Sequence, residues 1–422
     1  MKVVLVHGRY ANSWEALGLG YLAAYVHNHE PAVKFEFFQG CFDDDSDIIA
    51  AGAKADIVAF SCTSPTVAHA VRLSAAIHEV SHRTRTVIGG YHASALPAEC
   101  LAAGFDQAVQ GEGEQALLDI VKGLRDPVVT GRPMDFEELP WPNRRLIRTE
   151  RNIGVAYREN GLRITSFQAH RGCPFSCKFC ADGAAKALYG GRVVACRSRP
   201  VQDLVDEITV VAWQYKLDFF KFCDPTWNAA PGWVHAFCAA KRRSAIAALP
   251  WFANIHANLV DEPMFPAMYE AGCRTIGIGI ESGSIPVLKG IGKATTRETI
   301  SRACLLAKRA GLHVRGYFIL GAPEETEKDL EETERFAEHL DLDEYGFTIL
   351  CPYPGTFYHA QDRDALGGIR WEETDEYQND FWATRTVANA RLQEWQRRLT
   401  AKFRGRLTQR QPRSEQCAKS GS

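Results

Sequence analysis

Apolar residues arrive along this chain in short runs closed by glycine or polar loops, and stretches with helical spacing fill the gaps between them. Runs at Lys2 to His7, Val33 to Phe38, Ile57 to Ser61, Thr86 to Gly89 and Gln107 to Gln110 are too short for helices and predict strands. Between them Ala16 to His29, Val67 to Val80 and Glu114 to Lys122 carry apolar residues at helical spacing. Strand–helix alternation of this kind predicts a parallel sheet covered by helices on both faces, over residues 1–130.

The pattern breaks at Pro133-Met134-Asp135-Phe136-Glu137-Glu138-Leu139-Pro140-Trp141-Pro142-Asn143, where three prolines fix φ and remove donors, so 131–152 reads as a linker. Next, Ile153 to Arg158 and Leu162 to Phe167 flank Asn160-Gly161 and predict a β-hairpin. The strand–helix rhythm then returns. Strands are expected near Asp218 to Phe222, Trp251 to Asn254, Thr275 to Ile280, His313 to Ile319 and Tyr345 to Leu350, with helices near Val201 to Tyr215, Gly232 to Arg243, Thr296 to Ala310 and Glu327 to Leu340. With the strand that runs into Cys173, that makes six units and predicts an incomplete parallel barrel over 153–360. From 361 a short helical segment follows, opening on Trp371, Tyr377, Phe381 and Trp382. Beyond Glu394, Arg397, Arg398, Lys402, Arg404, Arg406, Arg410 and Arg413 outnumber acids, as in a solvated tail or a face for an anionic partner, and Gln411 to Ser422 is expected to be disordered.

Composition narrows the partners. The chain has 422 residues, 46% hydrophobic and 24% charged, enough for two or three globular domains. A net charge of −2 supplies no field for nucleic acid, and no apolar run reaches the roughly 18 residues a membrane helix requires, so neither partner is expected. The 13 cysteines are too scattered for a disulfide scaffold, and Met1-Lys2 leads straight into Val3-Val4-Leu5 with no apolar leader, so a reducing cytoplasm is the expectation.

Three of those cysteines are not scattered. The run His170-Arg171-Gly172-Cys173-Pro174-Phe175-Ser176-Cys177-Lys178-Phe179-Cys180 spaces them C-x3-C-x2-C. A structural zinc or an electron-carrying iron–sulfur cluster takes four protein ligands, so three thiolates leave one coordination position open, unless a zinc knuckle borrows a fourth ligand from elsewhere. The segment closely resembles the signature of the radical S-adenosylmethionine (SAM) superfamily. That resemblance implies a 4Fe-4S cluster on Cys173, Cys177 and Cys180, whose open iron chelates SAM through its amino and carboxylate groups.

Loops at the carboxyl ends of the N-terminal strands are small and polar: Ser61-Cys62-Thr63-Ser64, Gly89-Gly90-Tyr91-His92-Ala93-Ser94 and Gly111-Glu112-Gly113-Glu114. Such rims bind ligands in doubly wound sheets. Together with Leu17-Gly18-Leu19-Gly20-Tyr21-Leu22 they resemble the cobalamin-binding domain that precedes the radical SAM core in one large subfamily. The resemblance implies a Rossmann-like, flavodoxin-like fold that holds cobalamin, with Ser61, Thr63, Gly89, Gly90, His92, Gly111 and Glu112 as contact candidates. The D-x-H-x-x-G motif that ligates cobalt from below elsewhere is absent, as is usual in this subfamily. Its lower face would then be open, water-bound or capped from the loop after the third strand. His69 lies near that loop and is expected as a surface residue rather than a ligand.

The barrel strand ends resemble the superfamily's SAM site in turn. Phe179 stands where an aromatic leans on adenine. Asp224, in Asp224-Pro225-Thr226, is a candidate contact to the methionine amino group or a turn-shaper. In Ile276-Gly277-Ile278-Gly279-Ile280-Glu281-Ser282-Gly283-Ser284, the Glu281 carboxylate and Ser282 hydroxyl would face SAM. A buried Glu281 requires a cation, either the SAM ammonium or an arginine of the chain. Gly321 opens Gly321-Ala322-Pro323-Glu324-Glu325-Thr326, close to Gly-x-Pro-Gly-Glu-Thr with Glu324 replacing the second glycine, and Thr326 is expected to cap a helix. In Pro352-Tyr353-Pro354-Gly355-Thr356, Tyr353 is a candidate proton acceptor or donor at the substrate, or a packing residue.

The fold expected is therefore α/β, a Rossmann-like cobalamin domain followed by a partial (β/α)6 radical SAM barrel and a C-terminal helical segment. The function implied is a cobalamin-dependent radical SAM C-methyltransferase: SAM is cleaved reductively, the 5′-deoxyadenosyl radical takes a substrate hydrogen, and methylcobalamin supplies the methyl. The target would be an unactivated carbon of a small-molecule or peptide substrate, with electrons from a flavodoxin or ferredoxin. The alternative is a cyclisation, rearrangement or redox step without net methyl transfer.

Overall fold

The computed structural model describes residues 1–10, 13–182, 188–189 and 196–410, of which 365 and 405–410 as backbone only. The chain divides into two compact units: Met1–Lys221 with Ser244–Leu249 and Pro352–Asp375, and Phe222–Arg243 with Pro250–Cys351 and the residues from Glu376 onward.

In the first unit, β1 (Lys2–His7), β2 (Lys34–Gln39), β3 (Ile57–Ser61), β4 (Arg85–Gly89), β5 (Gln107–Gln110) and β6 (Val128–Thr130) form one parallel sheet in the order β2-β1-β3-β4-β5-β6. Alternate residues of β1 feed opposite cores: Val3 and Leu5 pack with Leu19, Tyr25 and Ile120, whereas Val4 and Val6 pack with Ile48, Leu73 and Ile77. That explains why the strand is apolar throughout, since both faces are covered. Val4 faces Glu36 on one side and Val58 on the other. The order reverses between β1 and β3, so the crevice at the carboxyl ends opens beside Ser61 and the loops after β4 and β5. The short edge strand β6 and the helix Asp45–Gly52 went unpredicted; they bury only Val129, and Ile48 and Gly52, respectively.

The proline-rich stretch is better described as part of this unit than as a free tether. Met134, Phe136, Leu139 and Ile147 are buried in the same core as Val3 and Leu5. The predicted hairpin does not form. Thr149–Asn160 is a helix that buries Thr149, Asn152 and Ile153, and only Ile164–Phe167 (β7) is a strand. Asn160-Gly161 serves as the helix stop: Gly161 has φ of 70° and its N–H donates to Tyr157 O at 2.8 Å. The same dipeptide suits either a primed turn or a left-handed helix end, and burial at helical spacing decided between them.

After β7, the two-residue strands β8 (His170–Arg171) and β9 (Arg197–Ser198) pair antiparallel, Arg171 opposite Arg197, and bracket the cysteine-bearing excursion. Helix Val201–Tyr215 and strand β10 (Phe219–Phe222) follow, with Phe167 edge-on to Phe220 at 5.5 Å.

In the second unit β11 (Trp251–Ile255), β12 (Cys273–Glu281), β13 (His313–Leu320) and β14 (Glu344–Ile349) pair in parallel, each with the next. Helices Pro231–Arg242, Arg297–Arg309 and Glu327–His339 lie close to the predicted spans. An aromatic core of Phe222, Trp227, Phe237 and Trp251, with ring centroids 4.8–5.7 Å apart, backs β11. In chain order β7 and β10 to β14 supply the six strand–helix repeats that the pattern predicted. The C-terminal helix Asn389–Arg410 is not merely solvated: Arg398 and Lys402 pair with Glu334, and Trp395 Nε1 donates to Glu327. The expectation of disorder over Gln411 to Ser422 lies outside the described residues.

Candidate functional site

Cys173, Cys177 and Cys180 lie on the excursion between β8 and β9, half-buried and free of disulfides. The Cys180 N–H donates to Cys177 O at 3.2 Å, folding the last two thiols into one turn. Burial, reinforced by Asp182 and by the sulfurs of Cys177 and Cys173, pushes the Cys180 thiol up to about 12. Metal coordination there must displace a proton. Among the described residues no three His, Cys, Asp or Glu side chains are gathered closely enough to hold one metal ion. The fit to a cluster rests on the donor set, three sulfurs on one excursion, two of which raise the affinity of the third, Cys180, for its proton. Phe179, between two of them, is half-buried.

The neck of the excursion is fastened by the loop after β5. Arg171 bridges Glu112 (Nη1 to Oε2, 2.9 Å) and Glu114 (Nη2 to Oε1, 2.7 Å), and Arg197 pairs with Glu112 while donating to Met134 O at 2.6 Å. Met134 N–H donates to Glu112 Oε2 at 2.9 Å, and Glu112 N–H donates to Tyr189 Oη at 3.0 Å. Gly111 holds φ of 81°, and a Cβ there would lie 2.2 Å from that same Tyr189 oxygen. Further along, Tyr91 Oη donates to Asp182 at 3.1 Å, and Phe357 N–H donates to Lys178 O at 3.0 Å.

The other loops of the rim are ordered by their own polar groups. Thr63 caps helix Ser64–Val80 reciprocally with Thr66, and Ser61 ends β3 half-buried. Gly90 adopts φ of 97°, where a Cβ would sit 2.5 Å from Cys62 O, so the backbone of the Gly89-Gly90 loop passes directly over the end of β3. His92 is buried with Nδ1 3.0 Å from Ser64 Oγ, and burial lowers its pKa to about 4, which keeps it neutral at pH 7. His69 is not on the surface as expected. It is buried, its Nδ1 accepts from Arg9 N–H at 3.0 Å, and its Nε2 lies 2.9 Å from Asp45 Oδ1, so both ring nitrogens are occupied. Tyr353 is half-buried with its ring 5.6 Å from that of Trp371, and its carbonyl accepts from Thr356.

In the second unit Glu281 is buried at the end of β12 and paired with Lys293 at 2.9 Å, the cation being a lysine rather than an arginine. Its φ of 64° is unusual for a non-glycine residue, and the β12–β13 register shifts between Gly279 and Glu281. The strand thus turns as it delivers the carboxylate. Ser282 Oγ lies 2.9 Å from Thr333 Oγ1 and accepts from Ser284 N–H, and Asp224 is fully buried. Gly321 O accepts from Trp382 Nε1 at 2.7 Å, which puts the aromatic start of the C-terminal segment against the end of β13. Thr326 caps helix Glu327–His339 in a box with Asp329, as expected.

Comparison with known proteins finds two families along the chain. Residues 3–121 match the B12 binding domain and residues 168–337 match the radical SAM superfamily. An uncharacterized methyltransferase of Pyrococcus horikoshii is 30% identical over 387 residues, covering 85% of this chain and 81% of its own. The chain belongs to the radical SAM enzymes with a B12-binding domain, in their methyltransferase subfamily. An anaerobic magnesium-protoporphyrin IX monomethyl ester cyclase of Rubrivivax gelatinosus is 26% identical, over 84% of this chain and 68% of that one. The solved radical SAM methyltransferase TsrM of Kitasatospora setae, bound to tryptophan and a SAM analog, shares the fold with a TM-score of 0.73 at 17% identity, covering 96% of this chain and 89% of TsrM.

This radical SAM enzyme accordingly uses a 4Fe-4S cluster, SAM and cobalamin. No helix among its described residues is long and apolar enough to cross a membrane. Sequence reasoning missed Lys293, which stands 12 positions beyond its partner, and the arginines beside the cysteines, although Arg171 adjoins the motif. It also missed Glu325. That carboxyl is buried, its Oε2 accepts from the N–H groups of Gly321 and Ala322, and its Oε1 has no hydrogen-bond partner among the described residues.

Burial outweighs those two donors and raises the Glu325 pKa to about 8. Between the unfolded value near 4.5 and 8 the native state therefore binds the proton that the unfolded state has lost. Stability should fall as pH rises through that window, by up to about 1.4 kcal/mol per unit. Glu325→Gln, neutral at all pH, should flatten the slope and be the more stable form at pH 8. Urea denaturation at pH 5.5 and 8 tests this, and an unchanged slope in the variant would refute it.

Proposed function

We propose that this enzyme transfers a methyl group to an unactivated carbon of a small-molecule or peptide substrate, with the cluster reduced by a flavodoxin- or ferredoxin-type donor. What supports the reading most is that one chain joins both cofactor modules and is 30% identical, along most of both chains, to a relative named as a methyltransferase. When bound, the cluster supplies an electron for cleaving SAM and cobalamin supplies the methyl group.

The chain's own groups then bind and orient. Cys173, Cys177 and Cys180 are proposed as the iron ligands, with Phe179 against adenine. Asp224, Glu281 and Ser282 are proposed to take the polar end of SAM, Glu281 exchanging part of its Lys293 pairing for the SAM ammonium, and Gly321 to leave room beside it. Ser61, Thr63, Gly89, Gly90, His92 and Gly111 would line the cobalamin rim, neutral His92 adding no charge beneath it. Glu112 belongs to that rim by position, although its carboxylate is turned to the two arginines. Tyr353 would hold or move a proton at its phenol oxygen. These residues exclude water and set geometry, which is the protein's share of such chemistry.

The test is anaerobic reconstitution with iron, sulfide and cobalamin, followed by mass spectrometry of SAM products over a panel of small molecules and peptides. Methyl transfer predicts S-adenosylhomocysteine and 5′-deoxyadenosine in about equal amounts. The cyclase that is 26% identical keeps a second reading open, ring closure without methylation, and 5′-deoxyadenosine unaccompanied by S-adenosylhomocysteine would decide for it.

A further inference from the structure

We propose that Glu112 is a positioning residue of the iron–sulfur site: from the rim of the cobalamin domain it clamps both strands of the neck from which the three-cysteine excursion springs. The proposal rests on the reading that Cys173, Cys177 and Cys180 hold the cluster.

β8 and β9 are two residues each, too short to hold a 25-residue excursion in register by ladder hydrogen bonds alone. The one carboxylate of Glu112 takes a guanidinium from each strand, Arg171 from β8 and Arg197 from β9. It also accepts from Met134 N–H, so that its oxygens are saturated by its own chain. The four side chains of the clasp are mostly buried: Glu114 is 4% exposed, Arg171 10%, Arg197 14% and Glu112 19%. Two carboxylates facing two guanidiniums in that setting hold their geometry, because losing one leaves a charge without its partner away from water. Arg171 is further wedged between the rings of Tyr21 and Phe136. On the backbone side the Glu112 N–H reaches Tyr189, a residue of the excursion itself, and Gly111 must lack a Cβ for that contact to exist. Glu112 therefore touches the excursion at its beginning, its end and its interior. A residue that only filled a corrin cradle would have no cause to do so.

The chemical consequence is that the clasp sets where the thiolates stand, and hence how readily the open iron accepts SAM. Glu112→Gln keeps size and the acceptor for Met134 N–H but loses one negative charge, leaving Arg197 neutral oxygens in place of a carboxylate. We expect this variant to take up cobalamin as the wild type does and to assemble iron and sulfide. Its cluster should, however, require about tenfold more SAM to reach half of the SAM-induced change in the EPR spectrum of the reduced cluster. Arg197→Gln should show the same shift, and the double variant should be no worse than either single one, since all three break one interaction. Tyr189→Phe, which removes no charge, should give a smaller shift in the same direction and serves if Glu112→Gln does not fold. A purely structural role would lower the unfolding midpoint yet leave the SAM titration of the folded protein unmoved, and that result would overturn the proposal. So would loss of cobalamin with a normal SAM response, which would make Glu112 a cradle residue. A wild type that binds no iron would instead overturn the cluster reading.

Discussion

Cys177→Ala is expected to abolish formation of a SAM-responsive 4Fe-4S cluster and with it SAM cleavage, while cobalamin binding and the fold persist. Losing the outer hydrogen-bond partner of a metal ligand typically costs roughly 10–100-fold, and losing one of only three ligands should exceed that. The fold should survive because the excursion is anchored elsewhere, through Glu112 and Glu114 at its neck, Tyr91 on Asp182 and Phe357 on Lys178. Cys196 supplies the control. It stands at the foot of β9, its thiol 3.4 Å from Gly172 O, close to the motif but outside its spacing. Cys196→Ala should keep iron, sulfide and SAM cleavage within about twofold of wild type, the residue being an ordinary thiol. Iron and sulfide analysis with EPR separates the cases. If Cys196→Ala lost the cluster as completely as Cys177→Ala, a fourth protein thiolate would close the site and no iron would be free for SAM.

The strands were legible in this chain because parallel strands covered on both faces carry short apolar runs closed by polar or glycine residues. Ile57–Ser61 and Gln107–Gln110 fall where expected to the residue, as does helix Val201–Tyr215. Elements that bury little were not legible. Helix Asp45–Gly52 buries only Ile48 and Gly52, and β6 buries only Val129. The hairpin failed for another reason: Asn160-Gly161 is a stop signal for two kinds of element, and the deciding fact, that Thr149, Asn152 and Ile153 share one buried face, depends on neighbours distant in sequence. The proline-rich stretch misled likewise. Prolines do exclude a continuous helix or central strand there, yet between them Met134, Phe136 and Leu139 are buried in the core.

The site was legible where chemistry demands a local spacing and not where it depends on a remote partner. Three thiols within eight residues announce themselves. That Glu281 needs a cation also follows from its place at the end of an apolar strand, but nothing local says that Lys293 supplies it. Glu112 shows the same limit from the other side. Its glycine-flanked position marks a rim loop correctly, whereas the direction of its carboxylate is set by arginines 59 and 85 positions away.

Glu207→Ala should destabilise the first unit by about 3–5 kcal/mol. Glu207 sits on the inner face of helix Val201–Tyr215 with 1% of its side chain exposed, between Arg144 at 5% and Arg199 at 2%. Its Oε1 accepts from Arg144 Nε at 3.1 Å and Nη2 at 2.9 Å, and its Oε2 accepts from Arg199. Arg144 reaches on to Glu15, also buried, at 3.1 Å, and Glu15 in turn accepts from Thr149, Thr165 and the Ser166 N–H. Removing Glu207 takes a buried carboxylate from both Arg144 and Arg199 at once, in a setting where water cannot replace it. Compare the pair Arg242–Glu270, whose side chains are 53% and 56% exposed. There solvent screens the attraction and Glu270→Ala should change stability by no more than about 0.5 kcal/mol. Urea unfolding followed by a probe in the first unit for Glu207→Ala and one in the second unit for Glu270→Ala measures both, with the slope checked for constancy so that the midpoint shift reports stability. Because Arg144 lies in the predicted linker, residues 131–152, a large effect would also show that this segment is held to helix Val201–Tyr215, and an effect of Glu207→Ala no larger than that of Glu270→Ala would show that it is not.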